Sequence, residues 1–240
     1  MSEPSRIVPS RDACLVDLPG LVPYAEAGAL QSSLAASVKD GLLPDTVLLL
    51  EHEPVITLGR RSGEGEVHLP AGLEIDVVET NRGGRSTYHG PGQLVCYPIL
   101  DLHRHGKDLR KYVRELEQAI IGTLARFGLA GTRIDGLTGV WLADPPRKLA
   151  SIGVHASRWV TTHGYALNVD LDPAPFTDWI TACGLDDARF TSMAGELRRP
   201  LSVDEVRPAA AASLAEVFGL AFAERPSTWL DDALALRSTG

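Results

Sequence analysis

Arg82-Gly-Gly-Arg-Ser-Thr-Tyr-His-Gly-Pro-Gly-Gln-Leu-Val-Cys-Tyr97 sets four glycines and a proline within eleven residues, then runs without a break into an apolar stretch. Glycines at this density belong where the backbone takes φ values closed to other residues, or where something approaches the main chain closely. Arg82, Arg85, Thr87, Tyr88 and His89 are threaded among them, so the loop offers hydrogen bonds and ring surface beside bare backbone. That combination points to a binding loop; a plain surface turn has no use for so many glycines next to a bulky Tyr-His pair. Ile75–Glu79 alternates and reads as a strand leading in, and Leu94–Leu100 reads as a strand leading out.

The rest of the chain predicts mixed structure around that loop. Between Tyr24 and Lys39, Leu30, Leu34 and Val38 recur at four-residue steps, as on an amphipathic helix. Thr46–Leu50 is a continuous apolar run, a strand buried on both faces, and Val55–Leu58 resumes extended structure after Pro54. The clearest helix is 108–127, with Asp108 as N-cap, Gly128 as stop, and Leu109, Tyr112, Val113, Leu116, Ile120, Leu124 and Phe127 on one face. Gly139–Leu142, Lys148–Ala156 and Trp159–Val169 predict a three-stranded meander. Ser202-Val-Asp-Glu205 is a capping box, with Pro208 expected to break or kink the helix behind it. Without regular βαβ alternation, the pattern is that of an α+β fold, a mixed β-sheet flanked by helices. Residues 1–12 are expected to be mobile, and 13–240 to form one domain whose C-terminal portion, from about residue 200, is helical.

Composition narrows the function. Of 240 residues, 44% are hydrophobic and 22% charged, which suits a globular chain with a sizeable core. A net charge of −8 argues against a general nucleic-acid binder. Arg60, Arg61, Arg82 and Arg85 nevertheless gather positive charge near the glycine loop, which suits an anionic ligand or acidic partner. Three widely spaced cysteines (Cys14, Cys96, Cys183) are no disulfide framework and fit a reducing compartment. With no signal-peptide core at the amino terminus and no apolar run long enough to span a bilayer, a soluble cytoplasmic protein is expected.

Familiar catalytic motifs are missing: no GxGxxG, no phosphate loop, no GxSxG elbow. His103 and His105 read as solvated loop residues, not metal ligands, and no metal site is expected. Cys96 alternates inside a strand and Cys14 lies near the expected mobile end. Cys183 differs, since it precedes Gly184 at the junction between a short helical segment and an acidic turn. A thiol there needs a cation or base nearby to become a thiolate. Lys148, at the mouth of Lys148-Leu-Ala-Ser-Ile-Gly153, is either that partner or a solvated strand end; spacing does not decide.

Arg82–Gln93 with Tyr97-Pro98, Gly139-Val-Trp141, Lys148–Gly153, His163-Gly-Tyr-Ala-Leu-Asn-Val169 and Cys183-Gly184 together resemble the lipoyl(octanoyl) transferase family, in that family's order and over roughly residues 45–195. The resemblance implies the fold of the lipoate-ligase and biotin-ligase catalytic domain. It also implies an acyltransferase that moves an octanoyl group from octanoyl-acyl carrier protein, through a Cys183 thioester, to a specific lysine of apo lipoyl domains. The acceptors it implies are the lipoyl domains of 2-oxoacid dehydrogenase E2 subunits and the glycine-cleavage H protein. Carried over by motif, Cys183 is the nucleophile and Lys148 lowers its pKa and shuttles protons, with no cofactor or metal. Arg82, Gly83, Gly84, Arg85, Ser86, Thr87, Tyr88 and His89 match the acyl-pocket segments, as do Ser151, Ile152, Gly153, Gly164, Tyr165 and Ala166. His89 and His163 could position the thioester or incoming amine, or be structural. The arginines near the loop would steer acidic acyl carrier protein. Ala182 departs from the family's proline before the nucleophile. The rival expectation is an ATP-dependent lipoate or biotin ligase on the same fold; a non-catalytic carrier-binding module is a second.

Overall fold

Thr46-Val-Leu-Leu-Leu50 is buried throughout at the middle of the molecule, as an unbroken apolar run in a central strand must be. The computed structural model describes residues 11–181 and 189–235. In chain order the elements are β1 (Arg11–Val22), α1 (Tyr24–Lys39), β2 (Asp45–His52), β3 (Val55–Leu58), β4 (Asp76–Glu79), β5 (Thr87–His89), β6 (Gln93–Ile99), α2 (Leu109–Arg126), β7 (Thr132–Ile134), β8 (Leu137–Leu142), β9 (Arg147–Ser157), β10 (Val160–Asn168), α3 (Pro175–Asp178), α4 (Met193–Leu197), α5 (Val203–Phe218), β11 (Leu220–Arg225) and α6 (Trp229–Ala235). The main sheet is mixed, in the order β11-β1-β2-β6-β10-β9-β8-β7, and a small sheet runs β4-β3-β5.

The two-residue period of the central strands sorts side chains into two cores. Val47 and Leu49 join Leu94, Cys96, Tyr165 and Leu167 beneath α2 and α5. Leu48 and Leu50 join Val95, Tyr97 and Ala166 beneath α1 and α6. Helix α2 begins where expected, with the Asp108 carboxylate accepting from the N–H of Arg110 and Lys111. A third, smaller cluster of Ile56, Tyr88, Leu171, Phe176 and Ile180 lies against the small sheet.

Four expectations need correction. First, Arg11 and Asp12 are already in β1, which pairs in parallel with β2 on one side and β11 on the other. The described residues therefore begin with one βαβ unit, β1-α1-β2. Second, the C-terminal portion is not purely helical, because β11 completes the edge of the main sheet. Third, α5 is not broken at Pro208, which lies inside it. A missing N–H costs one backbone bond, while the Ser202–Glu205 capping box and buried Val206, Ala210, Leu214 and Phe218 hold the helix on both sides. Fourth, His105 is buried, its Nε2 2.9 Å from the Asp45 carboxylate; His103 is exposed beside Asp101.

Candidate active site

The glycine loop is clamped from two directions. Arg60 N–H donates to Arg82 O and Arg61 N–H to Gly84 O, each at 3.0 Å, and on the other side Gly83 N–H donates to Val154 O of β9 at 2.9 Å. Gly59 and Gly153 allow these approaches: a Cβ on Gly59 would sit 2.5 Å from Gly84 O, and one on Gly153 would sit 2.8 Å from Gly83 O. The Arg82 guanidinium turns inward, donating to Thr57 O at 2.7 Å, to Thr57 Oγ1, and to Arg85 O at 2.8 Å. Arg85 donates to Glu66, whose other oxygen takes the Ser86 N–H at 3.1 Å. Burial works against the Glu66 carboxylate, but N–H donors from Gly63, Ser86 and Arg85 outweigh it and hold its pKa below the usual range.

Under the loop, β9 and β10 present small residues. Ser151 pairs with Ala166 and Gly153 with Gly164, so these four share one face, the one that carries Ala166 into the α1 core. A side chain on Gly164 would overlap Cys96 O. Of the expected lining residues, Ile152 and Tyr165 pair with each other and send their side chains to the α2/α5 side. They contribute only main chain to the loop side.

Thr87, Tyr88 and His89 form β5, paired with β3. The Tyr88 ring packs edge-on against Phe176 and Trp179. His89 Nδ1 lies 2.7 Å from Gln93 Oε1, and Gln93 Nε2 donates to Tyr88 O and Asn168 Oδ1. Gln93 thus receives the His89 proton at Nδ1. Burial first, then the nearby His52 and Arg82, push the His89 pKa well below its usual value and keep the ring neutral. His163 has φ +58°, takes its main-chain bond to Gln31 Oε1 and sets Nε2 2.7 Å from Asn81 Oδ1. Burial lowers it to about 4. It opens on a cleft of about 620 Å³ shared with Tyr24, Gln31, Thr80 and His155. Since His163 pairs with Val154, it stands six residues along β9 from Lys148, or roughly 20 Å at the rise of a strand.

Lys148 is buried, 4% exposed, which removes the solvated-strand-end reading. Its Nζ lies 5.3 Å from the Trp141 ring centre and 6.0 Å from that of Phe190. Its main chain is bonded on the far side to the segment after residue 188: Lys148 N–H to Arg189 O at 2.8 Å and Thr191 N–H to Lys148 O at 3.0 Å. Cys183, with Ala182 and Gly184, lies outside the described residues. The chain just before it is tied to the loop, because Thr181 N–H donates to Glu66 O at 2.9 Å and Ser86 Oγ donates to Thr181 O at 3.3 Å. Glu66 is therefore a site residue that the sequence did not reveal. Its only local signal was an acidic residue ending a glycine-rich turn.

One of the four arginines is not a steering surface: Arg82 is buried. Arg85 is ion-paired to Glu66 yet 40% exposed, and Arg60 and Arg61 are exposed. Among the described residues no group of three or more His, Cys, Asp or Glu could hold a metal ion, and no helix is long and apolar enough to cross a membrane.

The family model described as lipoyl protein ligase A/B catalytic domain matches residues 23–215. Octanoyltransferase of Geobacter sulfurreducens is 47% identical over 212 residues, covering 88% of this chain and 87% of that protein. Octanoyltransferase of Solibacter usitatus is 52% identical over 202 residues, covering 82% and 88%. Solved structures share the fold at much lower identity. A bipartite lipoate protein ligase from Thermoplasma acidophilum superposes with a TM-score of 0.72 at 19% identity, over 95% of this chain and 91% of that one. Biotin protein ligase from Aquifex aeolicus, solved with biotin and ATP, gives 0.54 at 13%, over 85% and 70%. The mixed sheet with helices on both faces is thus the ligase-type fold that the motifs implied. With the match running from the first helix to near the end of the fifth, this chain belongs to the lipoyl protein ligase A/B catalytic-domain family.

Proposed function

We propose that this protein transfers an octanoyl group from octanoyl-acyl carrier protein to a lysine of an apo lipoyl domain, with Cys183 as the acyl carrier in between. In the first half the Cys183 thiolate attacks the thioester carbonyl, the new C–S bond forms, and the carrier's thiol leaves with a proton. In the second half the acceptor amine attacks the Cys183 thioester, an amide forms, and the cysteine sulfur departs while the amine loses a proton. Lys148 is the group that stabilises the thiolate and relays those protons. A thioester is already activated, so neither half calls for ATP.

The observation that carries this reading is the anchoring of the chain on both sides of Cys183. Before it, Thr181 is bonded to Glu66 and Ser86 of the loop; after it, Arg189 and Thr191 are bonded to Lys148. The described residues on either side of it therefore meet the loop at one end and the buried lysine at the other. The bed of Ser151, Gly153, Gly164 and Ala166 under the loop supports an alkyl chain, each buried CH₂ of which contributes about 0.8 kcal/mol. The exposed Arg60 and Arg61 suit an acidic carrier protein. A reducing cytoplasm keeps the thiol available. The two acceptors of this reading are the lipoyl domains of 2-oxoacid dehydrogenase complexes and the glycine-cleavage H protein.

Intact-mass spectrometry tests it. Octanoyl-acyl carrier protein without ATP should give one octanoyl adduct, mapped to Cys183 and absent in Cys183→Ser, and adding apo lipoyl domain should discharge it. An adduct that persists on another cysteine would sink the role of Cys183. Acceptor modification from free octanoate and ATP alone would instead establish the ligase reading.

A further inference from the structure

Lys148 occupies a space that another residue leaves open. Gly139 of β8 has φ +117°, and a Cβ built there would lie 2.8 Å from Lys148 Cε and 3.4 Å from Nζ, besides 2.5 Å from Ala150 O. The first carbon of any side chain at 139 would therefore stand where the end of the lysine runs. The glycine is itself held from behind. Its N–H donates to Glu117 Oε1 at 3.2 Å. Glu117 is a wholly buried carboxylate on α2 whose other oxygen takes Arg114 at 2.8 Å and Arg133 at 3.0 Å. A buried carboxylate is stable only when so satisfied, and here part of that satisfaction goes to one main-chain N–H beside the lysine. Trp141 and Phe190 lie on other sides of the ammonium. β8 and β9 also shift register between Val140 and Trp141, right beside this point.

We infer that Glu117 and Gly139 are positioning residues for Lys148: the α2 carboxylate pins the β8 main chain at Gly139, and the absent side chain there leaves the passage through which Lys148 presents its ammonium to the acyl-transfer site. The inference rests on the role given to Lys148 above. A strut that merely joins α2 to β8 would affect stability alone. A positioning pair also affects the chemistry that Lys148 controls.

The experiment is the pH profile of iodoacetamide alkylation at Cys183, mapped by peptide mass, together with the octanoyl transfer rate, both in the full chain. Lys148→Ala should move the alkylation midpoint to higher pH. Gly139→Ala should move it the same way and slow transfer at least tenfold, with little further effect in the Lys148→Ala background. Glu117→Gln keeps an acceptor for the Gly139 N–H and should stay near the wild-type profile, whereas Glu117→Leu should shift it. Should Gly139→Ala not fold, the Glu117 pair decides, read on protein whose melting curve shows it folded. If Lys148→Ala leaves the midpoint unmoved, the role of Lys148 fails and this inference with it. If Lys148→Ala moves it while folded Gly139→Ala and Glu117→Leu do not, or if their losses add fully to that of Lys148→Ala, the positioning role alone is overturned.

Discussion

The two faces of the β9–β10 pair are made from the same strands and built to opposite ends. Toward α2 and α5 they present Leu149, Ala150, Ile152, Tyr165 and Leu167, close-packed into the larger core. Toward the loop they present Ser151, Gly153, Gly164 and Ala166, and the space above is bridged by main-chain bonds and an inward-turned arginine. One face obtains stability from side-chain volume. The other withholds volume and is held by hydrogen bonds that tie down a loop. If the proposed acyl chain lies on this face, it does so where side chains are small, because a fully packed core has no room for it.

The sharpest test separates chemistry from packing at two adjacent residues of β9. Lys148→Ala should reduce octanoyl transfer by at least about a hundredfold, a loss typical of a missing acid–base partner, while leaving the melting temperature comparatively unaffected. Leu149→Ala should destabilise by about 2–5 kcal/mol through a cavity, with near-normal transfer by the protein that remains folded. Equal effects of both on both readouts would erase the distinction between the buried lysine and the packed core beside it.

Arg82 comes next. Arg82→Met removes the donors to Thr57 and to the Arg85 carbonyl and leaves those acceptors buried, at a cost of about 3 kcal/mol or more. Chemical denaturation should show it, with proteolysis first appearing within 80–90. Wild-type stability would mean that the loop is held from outside, by the Arg60 and Arg61 N–H groups and β9 alone.

Acid should weaken the polar side selectively. Burial holds His52 and His163 at about 4, against an ordinary value near 6.5 in the unfolded chain. Between those values the unfolded chain binds protons that the folded one refuses, so this contribution is complete above about pH 6.5 and is lost as pH falls toward 4. Each ring accounts for at most about 3 kcal/mol. Urea midpoints at pH 7 and pH 5 should differ more in the wild type than in a His52→Gln, His163→Gln variant; equal differences would remove the two rings as the cause.

The smallest effect is expected at Gly153→Ala, whose methyl meets Gly83 O at 2.8 Å. The loop must lift, at about 1–3 kcal/mol, and the loss should fall on transfer of octanoyl more than of shorter acyl groups. A uniform loss across chain lengths would detach the loop from the alkyl chain.

Local signals carried the helices, the central strands and the meander, because Asp108, Gly128, the capping box and the apolar periods act within a few residues. The motif blocks carried the fold family. What stayed hidden was non-local. β1 has mixed polar and apolar positions and becomes a strand because β2 and β11 flank it. His105 looked solvated because Asp45, its partner, is distant in sequence. Arg82 looked like surface charge because its acceptors are backbone and side-chain oxygens of Thr57, on another strand. Glu117, next to Leu116 on the buried side of α2, was a charge out of place. Its meaning appears only when Gly139 arrives beside it.

One pairing has a consequence for how the protein comes into being. Arg11 stands in register with Leu220, so one edge of the main sheet joins segments roughly two hundred residues apart, a contact of the slow, high-separation kind. During synthesis the outer edge of β1 awaits its partner until nearly all of this chain has left the ribosome. For that interval it offers unpaired N–H and C=O groups to any passing strand. Chaperone dependence and aggregation of the nascent protein should therefore be governed by β11, at the sheet edge opposite β7.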